Sequence, residues 1–283
     1  MLFNLIVMAE IAYILLAGFL LFAQSHLIYF PDYTRHITVT PCDAGLAYES
    51  VEISTADDEA LHGWFVPAPE ATGTVLFFHG NAGNISHRME YLSMLNGLGY
   101  NTFIFDYRGY GDSSGRPSEE GTYRDAEAAW DYLTNQRSIL PGRIILFGES
   151  LGGAIAAWLA AREKPGLLVL ASVFTSVPDV AAKLYPFLPV RLLSRFKYNT
   201  LESLNSVTCP VFVAHSPDDE IVPFEQGQAL YEAAPEPRRF LELQGGHNNG
   251  FIFMRKEWAA ALDGFIRLNL NSNDVESVYP GNK

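Results

Sequence analysis

From Thr74 onward the sequence repeats one pattern: a short unbroken apolar run, a Gly-rich loop, then a stretch with helical spacing. The runs are TVLFFHG (74–80), NTFIFDY (101–107), RIILFGE (143–149), GLLVLAS (166–172), CPVFVAHS (209–216) and RRFLELQ (238–244). A strand with one wet face alternates polar and apolar residues. Runs without alternation need cover on both faces, as in a parallel sheet between helix layers. The intervening segments supply the crossovers that parallel strands require. The clearest spans 119–136: Ser118 stands at the N-cap, Glu119 and Glu120 suit the positive helix end, and Tyr123, Ala126, Trp130 and Leu133 share a face. Two earlier runs, 51–55 and 61–66, read as an antiparallel pair. The expected fold is α/β, a mostly parallel doubly wound sheet.

The N-terminus follows a different rule. Residues 2–22 are almost continuously apolar, long enough to cross a bilayer as a helix. The one charge there, Glu10, costs about 2.5–3.5 kcal/mol if ionised near the bilayer centre. The apolar residues around it return roughly 0.3–0.6 kcal/mol each and outweigh it. A cleaved signal peptide competes, with Ala23-Gln24-Ser25 as a small-x-small cleavage site, but the basic n-region of such peptides is missing. The expected organisation is an N-terminal transmembrane anchor over 1–25, one domain over 26–270, and a loose polar tail over 271–283. Which side of the membrane the domain occupies is open, because positive charge is sparse on both flanks. A chain beginning near Gln24 is expected to be soluble and active.

One segment breaks the alternation. An insertion at about 174–206, including YPFLPVRLLSRFKYN, is too long for a loop and rich in Pro and aromatic residues. Such an insertion after a parallel strand covers a site as a cap or lid.

The chemistry concentrates at one corner. Gly148-Glu149-Ser150-Leu151-Gly152 matches G-x-S-x-G, with a strand before the serine and a helix directly after it. That is the strand-turn-helix context of a nucleophile elbow. A serine hydroxyl is a weak nucleophile until a base removes its proton. Downstream, beyond the strand at 209–216, the one histidine is His247, in QGGHNNG just after the run at 238–244. The acid belongs at the end of the strand before it, where AHSPDDEIVPF offers Asp218, Asp219 and Glu220. Two N–H donors are needed for the oxyanion. Leu151 supplies one, immediately after the nucleophile. Asn81, in the HGNAGN loop at 79–84, is the candidate for the other.

Other features point elsewhere. RGYGDSSG (108–115) resembles a dinucleotide loop, but its spacing is G-x-G-x-x-x-G and no helix start follows. It reads as a structural loop, with Asp106 and Arg108 tying loops together, and His79, His87 and His215 read as structural. No metal motif and no cofactor motif occurs. Cys42 and Cys209 are the only cysteines, far apart and in no ligand spacing. A formal net charge of −13 argues against nucleic acid as a partner.

Together, FHGNAGNISHR, DYRGYGDSSG, GESLGG, HSPDDEIVPF and GGHNN resemble the α/β-hydrolase superfamily, and more narrowly its membrane-anchored Bem46-like group. The resemblance covers about 27–266 and includes LIYFP after the apolar segment. It implies Ser150 as nucleophile, Asp219 as acid and His247 as base, with Asn81 and Leu151 lining the oxyanion hole. The acid is Asp219 because the family places it three residues before the Val of a Val-Pro pair, here Val222-Pro223. One departure is Ser216, where the family usually has glycine, which puts the shape of the acid loop in question. The cysteine-rich N-terminus of the group's protein depalmitoylases is missing, so their substrate does not carry over.

The expected function is a serine hydrolase cleaving carboxylic esters or thioesters through an acyl-enzyme. The partners expected are a small-molecule or acylated substrate and membrane lipid. A serine peptidase or amidase on the same scaffold competes, as does a non-catalytic binding module. The apolar residues of the insertion suit an acyl chain or the packing of the cap. Its Lys183, Arg191, Arg195 and Lys197, in a run from 180 to 201 without acidic residues, suit an anionic lipid surface or a solvated cap.

Overall fold

The computed structural model describes residues 2–32, 37–247 and 255–278. Its strands in chain order are β1 (Phe30–Pro31), β2 (Glu49–Ser54), β3 (Ala60–Val66), β4 (Gly73–Phe78), β5 (Ala82–Gly83), β6 (Tyr100–Phe105), β7 (Ile144–Glu149), β8 (Leu167–Ala171), β9 (Val211–His215) and β10 (Arg238–Glu242). Eight of them form one sheet in the order β10-β9-β8-β7-β4-β6-β3-β2. Only the β2–β3 and β3–β6 pairings are antiparallel; every pairing from β6 to β10 is parallel. All eight apolar runs therefore became strands of the expected sheet.

The reason for the unbroken apolar runs lies in the two cores. Leu76, Phe78, Phe103, Phe105, Leu146 and Leu168 point to one face. Their neighbours Val75, Phe77, Ile104, Ile145, Phe147 and Val169 point to the other. In the central strands β4, β7, β8 and β9 nearly every residue is buried under a helix layer, so period-2 geometry yields few polar positions there.

The helices are α1 (Leu2–Ile28), α2 (Met89–Gly97), α3 (Glu119–Asp131), α4 (Leu151–Ala160), α5 (Val177–Leu184), α6 (Val190–Leu193), α7 (Thr200–Leu204), α8 (Phe224–Ala233) and α9 (Lys256–Val278). At α3 the Ser118 hydroxyl accepts the Gly121 N–H as the N-cap, and a wider turn over Tyr132–Gln136 completes the predicted 119–136. The insertion at 174–206 folds into α5, α6 and α7. Helix α1 is long and apolar enough to cross a membrane, and none of its residues is buried.

The C-terminus departs from expectation. Residues 271–278, assigned to a loose polar tail, continue α9 to Val278. Trp258, Leu262, Phe265, Ile266 and Leu270 are buried on the sheet. Once such a packed segment is helical, each further residue adds a hydrogen bond without a new nucleation cost, so polar sequence prolongs the helix. Residues 279–283 of that tail lie outside the described residues.

Candidate active site

At the end of β7 the backbone turns into α4 within one residue. Ser150 sits at that residue with φ 52° and ψ −118°, a region that non-Gly residues occupy only when the surroundings enforce it. The enforcement is visible on both sides. A Cβ at Gly148 would lie 2.3 Å from the Gly153 Cα, and one at Gly152 would lie 2.1 Å from the Phe78 carbonyl oxygen. Helix α4 thus presses against β4 and β7 so closely that only glycine fits. The hydroxyl of Ser150 stands over the N-terminus of α4, whose partial positive charge favours an anion.

Three residues from distant parts of the chain converge there. His247 Nε2 lies 3.0 Å from Ser150 Oγ. On the other edge of the ring, His247 Nδ1 donates to Asp219 Oδ2 at 2.8 Å. That bond places the proton on Nδ1 and leaves the Nε2 lone pair facing the serine. Asp219 Oδ1 is held by the N–H groups of Ile221 (3.0 Å) and Val222 (2.7 Å). Burial pushes the Asp219 carboxyl up, but its hydrogen bonds and the neighbouring His247 outweigh this and hold it below the ordinary value.

The rest of the acid loop has distinct tasks. Asp218 is exposed, and its N–H donates to Ser216 Oγ at 3.1 Å. Ser216 in place of glycine therefore closes the turn with its hydroxyl, and Asp219 still reaches His247. Glu220 Oε2 accepts the backbone N–H of His247 at 2.9 Å and fixes the loop that carries the ring. The sequence reading offered Glu220 only as a possible acid. His215 Nε2 donates to the Val222 carbonyl at 3.0 Å, and burial lowers its pKa.

Asn81 and Leu151 line the same cavity as Ser150 and His247, a space of about 350 Å³. Leu151 is the first residue of α4, where an N–H has no acceptor within its own helix. The Asn81 carbonyl accepts from the Phe30 N–H (2.9 Å) and the Tyr110 hydroxyl (2.9 Å), and its side-chain amide donates to the Ile28 carbonyl (2.8 Å). The short parallel pairing of β1 with β5 continues this clamp. The loop of Asn81 is thus tied to the chain leaving α1.

Behind the loop, Asp106 Oδ1 accepts the Ile85 N–H at 3.0 Å and lies 3.6 Å from His79 Nε2. His79 Nδ1 donates to the Gly80 carbonyl at 2.7 Å. Burial drives both groups toward neutrality, the His79 pKa down to about 3 and the Asp106 pKa up to about 8. Arg88 lies 3.2 Å from Glu149, the residue before the serine, and braces the same loop from the other side. Arg108 pairs with Asp125 and Asp57, each at 2.8 Å, which fits its expected role as a tie between loops.

Comparison with known proteins agrees with this architecture. A family model described as the alpha/beta hydrolase fold matches residues 73–196. The chain is 37% identical to the alpha/beta hydrolase domain-containing protein WAV2 of Arabidopsis thaliana, over 79% of this chain and 80% of WAV2. It is 34% identical to protein bem46 of Schizosaccharomyces pombe, over 79% of each. Among solved structures, an esterase of Pyrococcus furiosus superposes with a TM-score of 0.71 at 23% identity, covering 86% of this chain and 98% of the esterase.

Proposed function

Because the chain belongs to the α/β-hydrolase family, in the group that includes Bem46 and WAV2, we propose that it is a serine hydrolase of carboxylic esters or thioesters. The observation that carries this reading is the hydrogen-bonded series Ser150–His247–Asp219, 3.0 and 2.8 Å, at the N-terminus of α4.

The steps follow from that geometry. Ser150 Oγ attacks the acyl carbon while His247 Nε2 takes its proton, and Asp219 stabilises the imidazolium that forms. The carbonyl oxygen becomes an oxyanion facing the N–H groups of Leu151 and Asn81. As the C–O or C–S bond breaks, His247 gives its proton to the leaving alcohol or thiol. The acyl group remains on Ser150. Water then attacks the ester, His247 again accepts a proton, and collapse returns it to Ser150 as the carboxylic acid departs.

Val177, Val180, Leu184, Leu188 and Leu193 of the insertion line the cavity and favour an acyl chain over a polar group. Helix α1 acts in this reading as a membrane anchor, and membrane lipid is its surrounding partner. An N-terminus mapped to His26 in the mature protein would instead mark α1 as a cleaved leader.

A fluorophosphonate probe tests the core of the proposal. It should label wild-type protein at Ser150 and leave Ser150→Ala unlabelled. Ser150→Ala should also lose hydrolysis of short p-nitrophenyl esters by several orders of magnitude, with Tm nearly unchanged. Residual activity within a few-fold of wild type would remove Ser150 from the mechanism.

A further inference from the structure

Helix α1 supplies part of the wall of the catalytic cavity. Leu20, Leu21, Gln24 and Leu27 line the same space as Ser150, together with Val180 and Leu184 of α5 and Leu193 of α6. A helix whose only task is to hold a domain at a membrane has no reason to contribute to that lining.

The contact between α1 and the cap is specific. Gln24 uses both ends of its amide on cap backbone: Nε2 donates to the Leu193 carbonyl at 2.8 Å, and Oε1 accepts the Arg195 N–H at 2.7 Å. About three turns earlier in the helix, the Tyr13 hydroxyl donates to the Phe187 carbonyl at 3.1 Å. The cap therefore lies along α1 from its C-terminal end to its middle. Next to this contact, Leu184, Phe187 and Leu192 are 51%, 61% and 83% exposed. Leu15, Phe19 and Phe22 of α1 are 67%, 67% and 78% exposed. One face of α1 looks into the cavity while the other, with the cap tip, presents apolar surface to its surroundings.

We propose that the C-terminal half of α1 is one wall of the acyl-binding site, and that the substrate is a long-chain acyl ester or thioester held in a membrane. The proposal rests on the serine hydrolase reading above. In this arrangement the apolar residues that contact lipid and those that contact the acyl chain belong to the same helix. A chain leaving the bilayer beside α1 passes between α1 and α5 without crossing water, and its carbonyl reaches Ser150. The Gln24 amide keeps the two walls in register by tying α1 to the backbone on either side of Ser194.

The test uses full-length protein in phosphatidylcholine vesicles and compares kcat/KM for p-nitrophenyl palmitate with that for the acetate. Leu21→Trp keeps α1 apolar but fills the channel. It should lower the palmitate-to-acetate ratio by about tenfold or more, since losing burial of only about two methylenes removes that factor. Gln24→Ala, which removes the tie without adding bulk, should lower the ratio in the same direction. Leu15→Trp, on the outward face, should keep the wild-type ratio. Vesicle-borne lysophosphatidylcholine and an S-palmitoyl peptide then distinguish the two sources of such a chain, and Leu21-dependent cleavage of either supports the proposal. An unchanged ratio in both Leu21→Trp and Gln24→Ala, with Ser150 still labelled by fluorophosphonate, overturns it and leaves the hydrolase reading standing. Wild-type protein that no fluorophosphonate labels overturns both.

Discussion

Asp218 and Asp219 are adjacent, carry the same charge and leave the same strand, yet only Asp219 turns inward to His247. Its side chain is fully buried, with both oxygens occupied by hydrogen-bond donors, while Asp218 is exposed. Asp219→Asn should therefore lower kcat for a short ester by about 10⁴, as removal of the triad carboxylate's charge does in serine proteases. Asp218→Asn should stay within a few-fold of wild type. A reversed order would make Asp218 the acid. Strand position could not separate these two residues, since both stand at the same strand end; the family resemblance did, because it implies an acid three residues before the Val of Val222-Pro223. Glu220 shows the opposite limit. Its bond to the His247 N–H joins two loops 27 positions apart, and no local pattern in the sequence marks a side chain that will meet a distant backbone group.

At the scale of elements, the loop carrying Asn81 is held by groups that the strand-loop-helix pattern only partly announces. Asp106 ends β6 and supports that loop through the Ile85 N–H. Its neighbour His79 is neutral throughout the ordinary pH range, so ionisation of Asp106 is favoured only by the Ile85 N–H and the Arg88 charge, and burial outweighs both. Burial raises its folded pKa to about 8, whereas an unfolded aspartate titrates near about 3.9. Between these values the folded state binds the extra proton. Its contribution to stability is therefore full below about pH 4 and is lost as pH rises toward about 8. Asp106→Asn remains neutral, so its Tm relative to wild type should rise from pH 5 to pH 9; thermal melts across that range check this. A constant difference would mean that Asp106 titrates normally. The sequence marked β6, a tying role for Asp106 and a helical segment between β4 and β6, but it set no bounds for α2, because MEYLSMLNG is short and its helical period is brief. The tail was misjudged for a related reason: polar composition describes solvent exposure, and α9 extends into it from a buried segment.

For the whole molecule, the relation between α1 and the domain is what sequence reading did not reach. An apolar stretch of this length satisfies the anchor criterion whether or not it touches the domain, because hydropathy registers composition and says nothing of contact. The expectation that a chain beginning near Gln24 is soluble and active divides accordingly into separate consequences. That cut keeps Ile28 and Phe30, which hold Asn81, so Ser150 should remain reactive. It removes Leu20 and Leu21 from the cavity wall, so preference for long chains should fall by about tenfold or more. A cut at Asp32 also removes the Ile28 carbonyl and the Phe30 N–H. The Asn81 loop then loses two of its holds, and the rate on every ester should drop toward the loss of one oxyanion donor, about 10²–10³ in kcat. Measuring kcat/KM for acetate and palmitate esters on both truncations, with fluorophosphonate labelling rates alongside, separates the two effects. If the cut at Asp32 matches the cut at Gln24 on acetate, the clamp on Asn81 has no part in catalysis. If the cut at Gln24 matches full-length protein on palmitate, α1 is an anchor and nothing more.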